Sequence, residues 1–272
     1  MINSFFNQIK ILTGAFVVLV TLISPSSLNA SNDGYTSTTL ITGANRGIGF
    51  EFAKQYLSKG WKVIATCRKP ESADQLILLQ EKFPTLLIID RLDVTDHSQI
   101  DQLAEKYAAT PIDVLLNNAG ISGDTKNQIF GRMNYDVYEK VLAVNTIGPL
   151  KMAEAFYPHV KASKQKKIIT VSSSEGSIAT ADKRGGGRLF FYRSSKSALN
   201  MVMVNLALQL KSRGVAVGMI NPGATDTDFM TGLPIPLRKT EVAVSDMIRN
   251  IDSITVENTG AYLNYNGKTV PW

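Results

Sequence analysis

Thr38-Thr39-Leu40-Ile41-Thr42-Gly43-Ala44-Asn45-Arg46-Gly47-Ile48-Gly49 decides how this chain is read. Its first five residues are apolar or β-branched, as a buried strand requires, and the next seven carry three glycines. After them Phe50, Phe52, Ala53, Tyr56 and Leu57 recur at helical spacing. The order strand, glycine turn, helix places free backbone amides at a helix N-terminus, where a pyrophosphate binds favourably. The spacing is GxxxGxG, not the GxGxxG of many dinucleotide sites, so the turn needs support from the rest of the chain.

That support is an alternation continuing to the C-terminal region. Strands are predicted over Lys62–Thr66, from Leu86 to Ile89 and on towards Asp93, over Ile112–Leu116, Lys167–Val171 and Val215–Ile220. Helical patterns lie between them: Leu76–Phe83, Ile100 to Tyr107, two helices within Val137–Lys161, and a long one over Leu189–Arg213. Repeated βαβ units imply a doubly wound parallel sheet, an α/β Rossmann-type single domain with ligand groups at the strand C-terminal ends. Polar, glycine-rich clusters follow the strands there: Gly43 to Gly49, Cys67-Arg68-Lys69, Asp93-Val94, Asn117 to Gly120, Ser172-Ser173-Ser174 and Asn221-Pro222-Gly223.

Tyr192-Arg193-Ser194-Ser195-Lys196 sets a phenol and an ammonium four residues apart on one helix face. A tyrosine titrates at about 10, and a nearby cation favours its phenolate. Such a pair suits proton transfer, with an oxidised nicotinamide as a second positive neighbour. Composition narrows the alternatives. The 272 residues, 44% hydrophobic, suit one large domain, and a net charge of +6 with Lys164, Lys166 and Lys167 as its densest cluster reads as solvated surface with no nucleic-acid partner. The single cysteine, Cys67, excludes an internal disulfide, and two distant histidines, His97 and His159, give no expectation of a metal site. Residues 1–30 form a leader: Lys10, an apolar run from Ile11 to Ile23, then small residues ending at Ala30. It is read as an export signal (periplasmic or secreted) or a membrane anchor if uncleaved, or as an upstream misassigned start of a cytoplasmic chain. Residues 31–37 are a short linker and 38–272 the catalytic domain.

With these motifs assembled, Thr38 to Trp272 resembles the short-chain dehydrogenase/reductase family. The family's glycine motif is matched by Thr42 to Gly49, its NNAG by Asn117 to Gly120, its helix-borne asparagine by Asn145, and its YxxxK by Tyr192 to Lys196. Gly260 to Gly267 is similar to the carbonyl-reductase branch of sniffer and C-factor-like proteins. The resemblance implies hydride transfer between nicotinamide and a carbonyl or alcohol, with Tyr192 as general acid/base, Ser173 holding the substrate oxygen, Lys196 lowering the tyrosine pKa and binding the ribose, and Asn145 retaining a water near the lysine. Ser173 is chosen over Ser172 and Ser174 because Gly176-Ser177 follows at the branch's interval. The stretch Asp182 to Arg188 reads as an insertion beside the site.

For the cofactor the resemblance implies contacts by Gly43, Asn45, Arg46, Gly47, Ile48 and Gly49, by Asp93 and Val94 at adenine, by Asn118, Ala119 and Gly120, and by Pro222, Gly223, Thr225 and Thr227 around the carboxamide. An acidic residue after the second strand would favour NAD; Arg68 stands there instead, with Arg46 across from it, so NADP(H) is preferred over NAD(H). An apolar lid is expected between Thr227 and Lys239, built from Phe229, Met230, Leu233, Ile235 and Leu237. It suits a small carbonyl or alcohol substrate of apolar character. A homodimer or homotetramer is implied by the family. A dinucleotide-binding signalling protein with incidental turnover is the alternative function.

Overall fold

The computed structural model describes residues 34–183, 187–230 and 235–272. The leader, residues 31–33 of the linker, the centre of the insertion and Leu233 and Pro234 of the lid lie outside the described residues. Strands β1 (Thr38–Thr42), β2 (Lys62–Cys67), β3 (Leu87–Arg91), β4 (Val114–Asn117), β5 (Lys167–Val171), β6 (Ala216–Asn221) and β7 (Ala261–Asn264) form one sheet in the order β3-β2-β1-β4-β5-β6-β7. Every adjacent pair is parallel. The helices are α1 (Gly47–Ser58), α2 (Asp74–Lys82), α3 (His97–Lys106), α4 (Tyr135–Leu142), α5 (Gly148–Ala162), α6 (Phe190–Lys211) and α7 (Thr240–Ser253).

Side chains alternate across the strands, which gives the sheet two apolar faces. Leu40, Ile64, Leu115, Ile168 and Val217 pack with Ile100, Phe156, Leu199 and Met203 from α3, α5 and α6. Ile41, Val63, Leu116, Ile169 and Ile220 point the other way, onto Phe52, Tyr56, Leu76, Met247 and Ile248 from α1, α2 and α7. The chain's return from β3 to β4, across β1, makes the topological switch point, and a crevice opens there at the strand C-terminal ends.

Three readings are refined. The two helices expected within 137–161 are one unbroken helical run, because a π-helical turn at Ala143–Ile147 joins α4 to α5 without a loop. Lys167 is not solvated surface: it is buried, and its Nζ donates to the carbonyls of Ile251 (2.8 Å) and Asp252 (3.1 Å), capping α7. Helix α7 and strand β7 add elements the sequence reading left unassigned. Among the described residues no helix is long and apolar enough to cross a membrane.

Candidate active site

The strand–turn–helix unit is built for close approach. Gly43 and Gly47 take left-handed φ of +65° and +55°, and a Cβ on Gly49 would lie 2.2 Å from the Gly43 carbonyl oxygen and 2.5 Å from Asn118 Nδ2. Helix α1 starts without a side-chain cap and without an acidic residue in its first turn, so its leading amides are available to an anion. Asn45, Arg46 and Ile48 fill the remaining positions of that turn. Arg68 follows β2, beside the turn across the β1–β2 pairing, and both Arg46 and Arg68 are exposed. This combination of uncapped amides, a cradle no side chain could enter and two arginines fits a phosphorylated dinucleotide.

The neighbouring clusters divide between contact and support. Asn118 donates from Nδ2 to the carbonyls of Thr42 (2.9 Å) and Gly43 (3.0 Å), and the amides of Asn118 and Ala119 both donate to Thr42 Oγ1 at 3.0 Å. Its side chain therefore locks β1 to β4. Gly120 borders the lysine: a Cβ there would stand 3.7 Å from Lys196 Nζ. Asp93 accepts from the Thr95 amide (3.0 Å) and hydroxyl (2.7 Å), which shapes the turn after β3, with Val94 buried beside it. Beyond β6, Thr225 Oγ1 donates to Pro222 and Gly223 carbonyls at 3.3 Å, and Thr227 reaches the glycine turn, its Cγ2 3.3 Å from where a Gly47 Cβ would be.

The four residues of the YxxxK constellation converge. Ser173 reaches the Tyr192 hydroxyl closely enough to favour its phenolate, whereas Ser172 is turned into the core and donates to Asn200 Oδ1 at 2.6 Å. Lys196 Nζ is buried, donates to the Val171 carbonyl at 2.9 Å, and stands 5.7 Å from the centre of the Tyr192 ring. Asn145 sits in the π-helical turn, fully buried. Its Oδ1 accepts from the Ile121 amide (2.9 Å), and its Nδ2 donates to the Ile121 carbonyl (2.8 Å) and Ser195 Oγ (3.0 Å). With that side chain committed, a water held by Asn145 must be held through the main chain.

The electrostatics of the pair follow from burial. Burial pushes the Tyr192 phenol up to about 12, the hydrogen bond from Ser173 pulls the other way, and the charge of Glu175 adds to the rise. Burial also pulls Lys196 down to about 8. For the phenol, desolvation outweighs the pull of Ser173. The result is a neutral phenol, a proton donor.

Two contacts had no sequence signal. Arg238 clamps the turn after β6: its Nη1 donates to the Pro222 carbonyl (2.9 Å), its amide to the Ala224 carbonyl (2.8 Å), and its guanidinium lies 3.9 Å from the centre of the Tyr265 ring while pairing with Asp246. Tyr262, on β7, donates its hydroxyl to the Ser173 carbonyl and so fixes the serine from behind. From the lid, Phe229 packs over Tyr192 with ring centres 5.3 Å apart, and the adjacent Asp228 pairs with Arg46 at 2.6 Å. Ile235 is half exposed.

Comparison with known proteins agrees with this geometry. The short chain dehydrogenase family model matches residues 37–235. The C-signal protein of Myxococcus xanthus is 33% identical over 169 residues, 62% of this chain and 98% of its own. Among solved structures, NADPH-bound carbonyl reductase from chicken fatty liver superposes with a TM-score of 0.79 at 31% identity, covering 87% of this chain and 99% of that one. The carbonyl reductase Sniffer of D. melanogaster gives 0.78 at 26% identity, covering 88% and 100%. The parallel sheet and the family match are those of an oxidoreductase, and the chain belongs to the short-chain dehydrogenase/reductase family.

Proposed function

We propose that this protein is an NADPH-dependent carbonyl reductase in which Tyr192 gives the proton. The observation that carries the reading is the convergence of Ser173, Tyr192 and Lys196: the phenol is buried beside Ser173, and Lys196 Nζ lies 5.7 Å from the centre of its ring. NADPH, when bound, supplies the hydride to the carbonyl carbon. The substrate oxygen is then accepted between Ser173 Oγ and the Tyr192 hydroxyl, and the phenol proton passes to it as charge develops there. Lys196, charged below about pH 8, stabilises the phenolate left behind. Asn145 keeps Ile121 and Ser195 in place around this pair.

The glycine turn would hold the pyrophosphate, and Arg46 and Arg68 the 2′-phosphate that distinguishes NADPH from NADH. Similar structures solved with bound NADPH and with bound NADP support that preference. Phe229 over the phenol favours apolar aldehydes, ketones or quinones.

The test is NADPH oxidation by the purified protein with 4-nitrobenzaldehyde, acetophenone and menadione. Wild type should turn over at least one of them, and Tyr192→Phe should lose at least about 100-fold in kcat, the lower end of what a positioned acid contributes. Retained activity in Tyr192→Phe would remove the proton-donor assignment.

A further inference from the structure

We infer that Gln128 is a positioning residue for proton transfer: its buried carboxamide ties the loop after β4 to the first turn of α6 and thereby fixes where the Tyr192 phenol stands. The inference rests on Tyr192 being the proton donor.

Helix α6 begins at Phe190, after Leu189 in a left-handed conformation (φ 58°) that supplies no side-chain cap. The leading amides of a helix have no partner within it. Gln128, only 4% exposed at the end of a short 3₁₀ turn (Thr125–Gln128), provides one from elsewhere in the chain. Its Oε1 accepts from the Phe191 amide at 2.8 Å and faces the Tyr192 amide at 3.5 Å. Its Nε2 donates to the carbonyls of Ser122 (2.8 Å) and Asp124 (3.1 Å). A carboxamide has both the acceptor and the two donors this position uses; no other side chain of similar length does.

The placement matters because the same short loop is gripped a second time. Asn145 holds Ile121 by both its amide and its carbonyl, and bonds Ser195 Oγ, which donates to the Tyr192 carbonyl at 2.8 Å. Two buried amides therefore link residues 121–124, next to Gly120, with the turn that carries Tyr192. Tyr138 stacks on Phe191 (ring centres 4.6 Å apart) and completes the clamp. Loss of Gln128 frees the start of α6, and a shift of about 1 Å at the phenol is enough to cost on the order of 100-fold in rate.

The full-length protein, assayed with NADPH and whichever probe carbonyl wild type reduces, tests this. Gln128→Met keeps the length without the polar atoms. Its kcat should fall about 10- to 100-fold while the KM for NADPH changes less than about twofold. Gln128→Glu adds a readout that a purely stabilising cap would not move. As an acid it keeps a donor and an acceptor, but as a carboxylate it sets an oxygen against the Ser122 and Asp124 carbonyls. Its kcat relative to wild type should rise as pH falls from 8 to 5. The nearby Asp124 carboxyl, held below its ordinary range by its hydrogen bonds to Lys126, stays ionised through that window. A Gln128→Met enzyme with wild-type kcat and a lower melting temperature would overturn the inference, as would a Gln128→Glu ratio flat with pH. If the Met variant does not fold, the pH ratio alone decides. Tyr192→Phe in parallel separates the two ideas. An inactive Tyr192→Phe beside a normal Gln128→Met sinks only the role of Gln128, whereas an active Tyr192→Phe removes the proton donor and this inference with it.

Discussion

Tyr192 and Lys196 were recognisable from their spacing, but their protonation was not, because burial is a property of the fold. The phenol stays protonated to about 12, so the alkaline fall in reductase rate should be set by Lys196, which gives up its proton near 8 and with it the charge that stabilises the phenolate. Rate is therefore kept below that value and lost above it. The kcat/KM profile of Lys196→Arg, if that variant folds, should lose the limb near pH 8, since an arginine does not titrate in this range. A limb unmoved in that variant would assign it elsewhere. Arg46 gives a second case. Sequence points to it as a phosphate ligand, yet in the structure it pairs with Asp228, an exposed partner 182 residues away that no local pattern reveals. Asp228→Asn should tighten NADPH binding by about two- to fivefold, as expected for release of an exposed ion pair, with NADH unaffected. NADPH and NADH titrations followed by cofactor fluorescence would check it.

At the scale of elements, β1, its turn and α1 were legible because each level agrees: buried β-branched residues, glycines where φ is positive, and an apolar helix face. Gly49→Ala places a methyl against backbone oxygen at 2.2 Å, which no rotamer change relieves. We expect a loss of about 1–3 kcal/mol in stability from the overpacking. The dissociation constant for NADPH should rise at least about tenfold as the turn opens, equivalent to about 1.4 kcal/mol. Thermal melts and cofactor titration on one preparation measure both, and a variant with wild-type affinity would contradict the cradle. The π-helical turn around Asn145 was not legible, because an inserted π turn leaves the apolar periodicity on either side intact. Strand β7 has four residues, one of them buried, and α7 has no side-chain cap at Lys239, so neither carries a strong local signal. Lys167 was misread for a related reason: its neighbours Lys164 and Lys166 suggest a solvated cluster, while the carbonyls it caps lie more than eighty residues on.

Across the whole molecule, the strand order places the glycine turn, Gly120 on the loop after β4, Ser173 after β5 and the turn after β6 along one crevice, and α6 lays Tyr192 and Lys196 into it. Sequence alternation implies that arrangement through the right-handed βαβ rule alone. The bracing by Gln128, Arg238 and Tyr262 does not follow from it, since each is a single polar residue whose partner is distant in the chain. The central claim is one of hydride and proton passing to one carbonyl, and it is tested most directly by single-turnover reduction with NADPH deuterated at the transferring position of the nicotinamide. For whichever of 4-nitrobenzaldehyde and acetophenone wild type reduces, the account predicts one deuterium on the carbinol carbon of the product, and a rate of formation at least about 100-fold lower in Tyr192→Phe. A product without that deuterium, or equal rates in the two proteins, would contradict it.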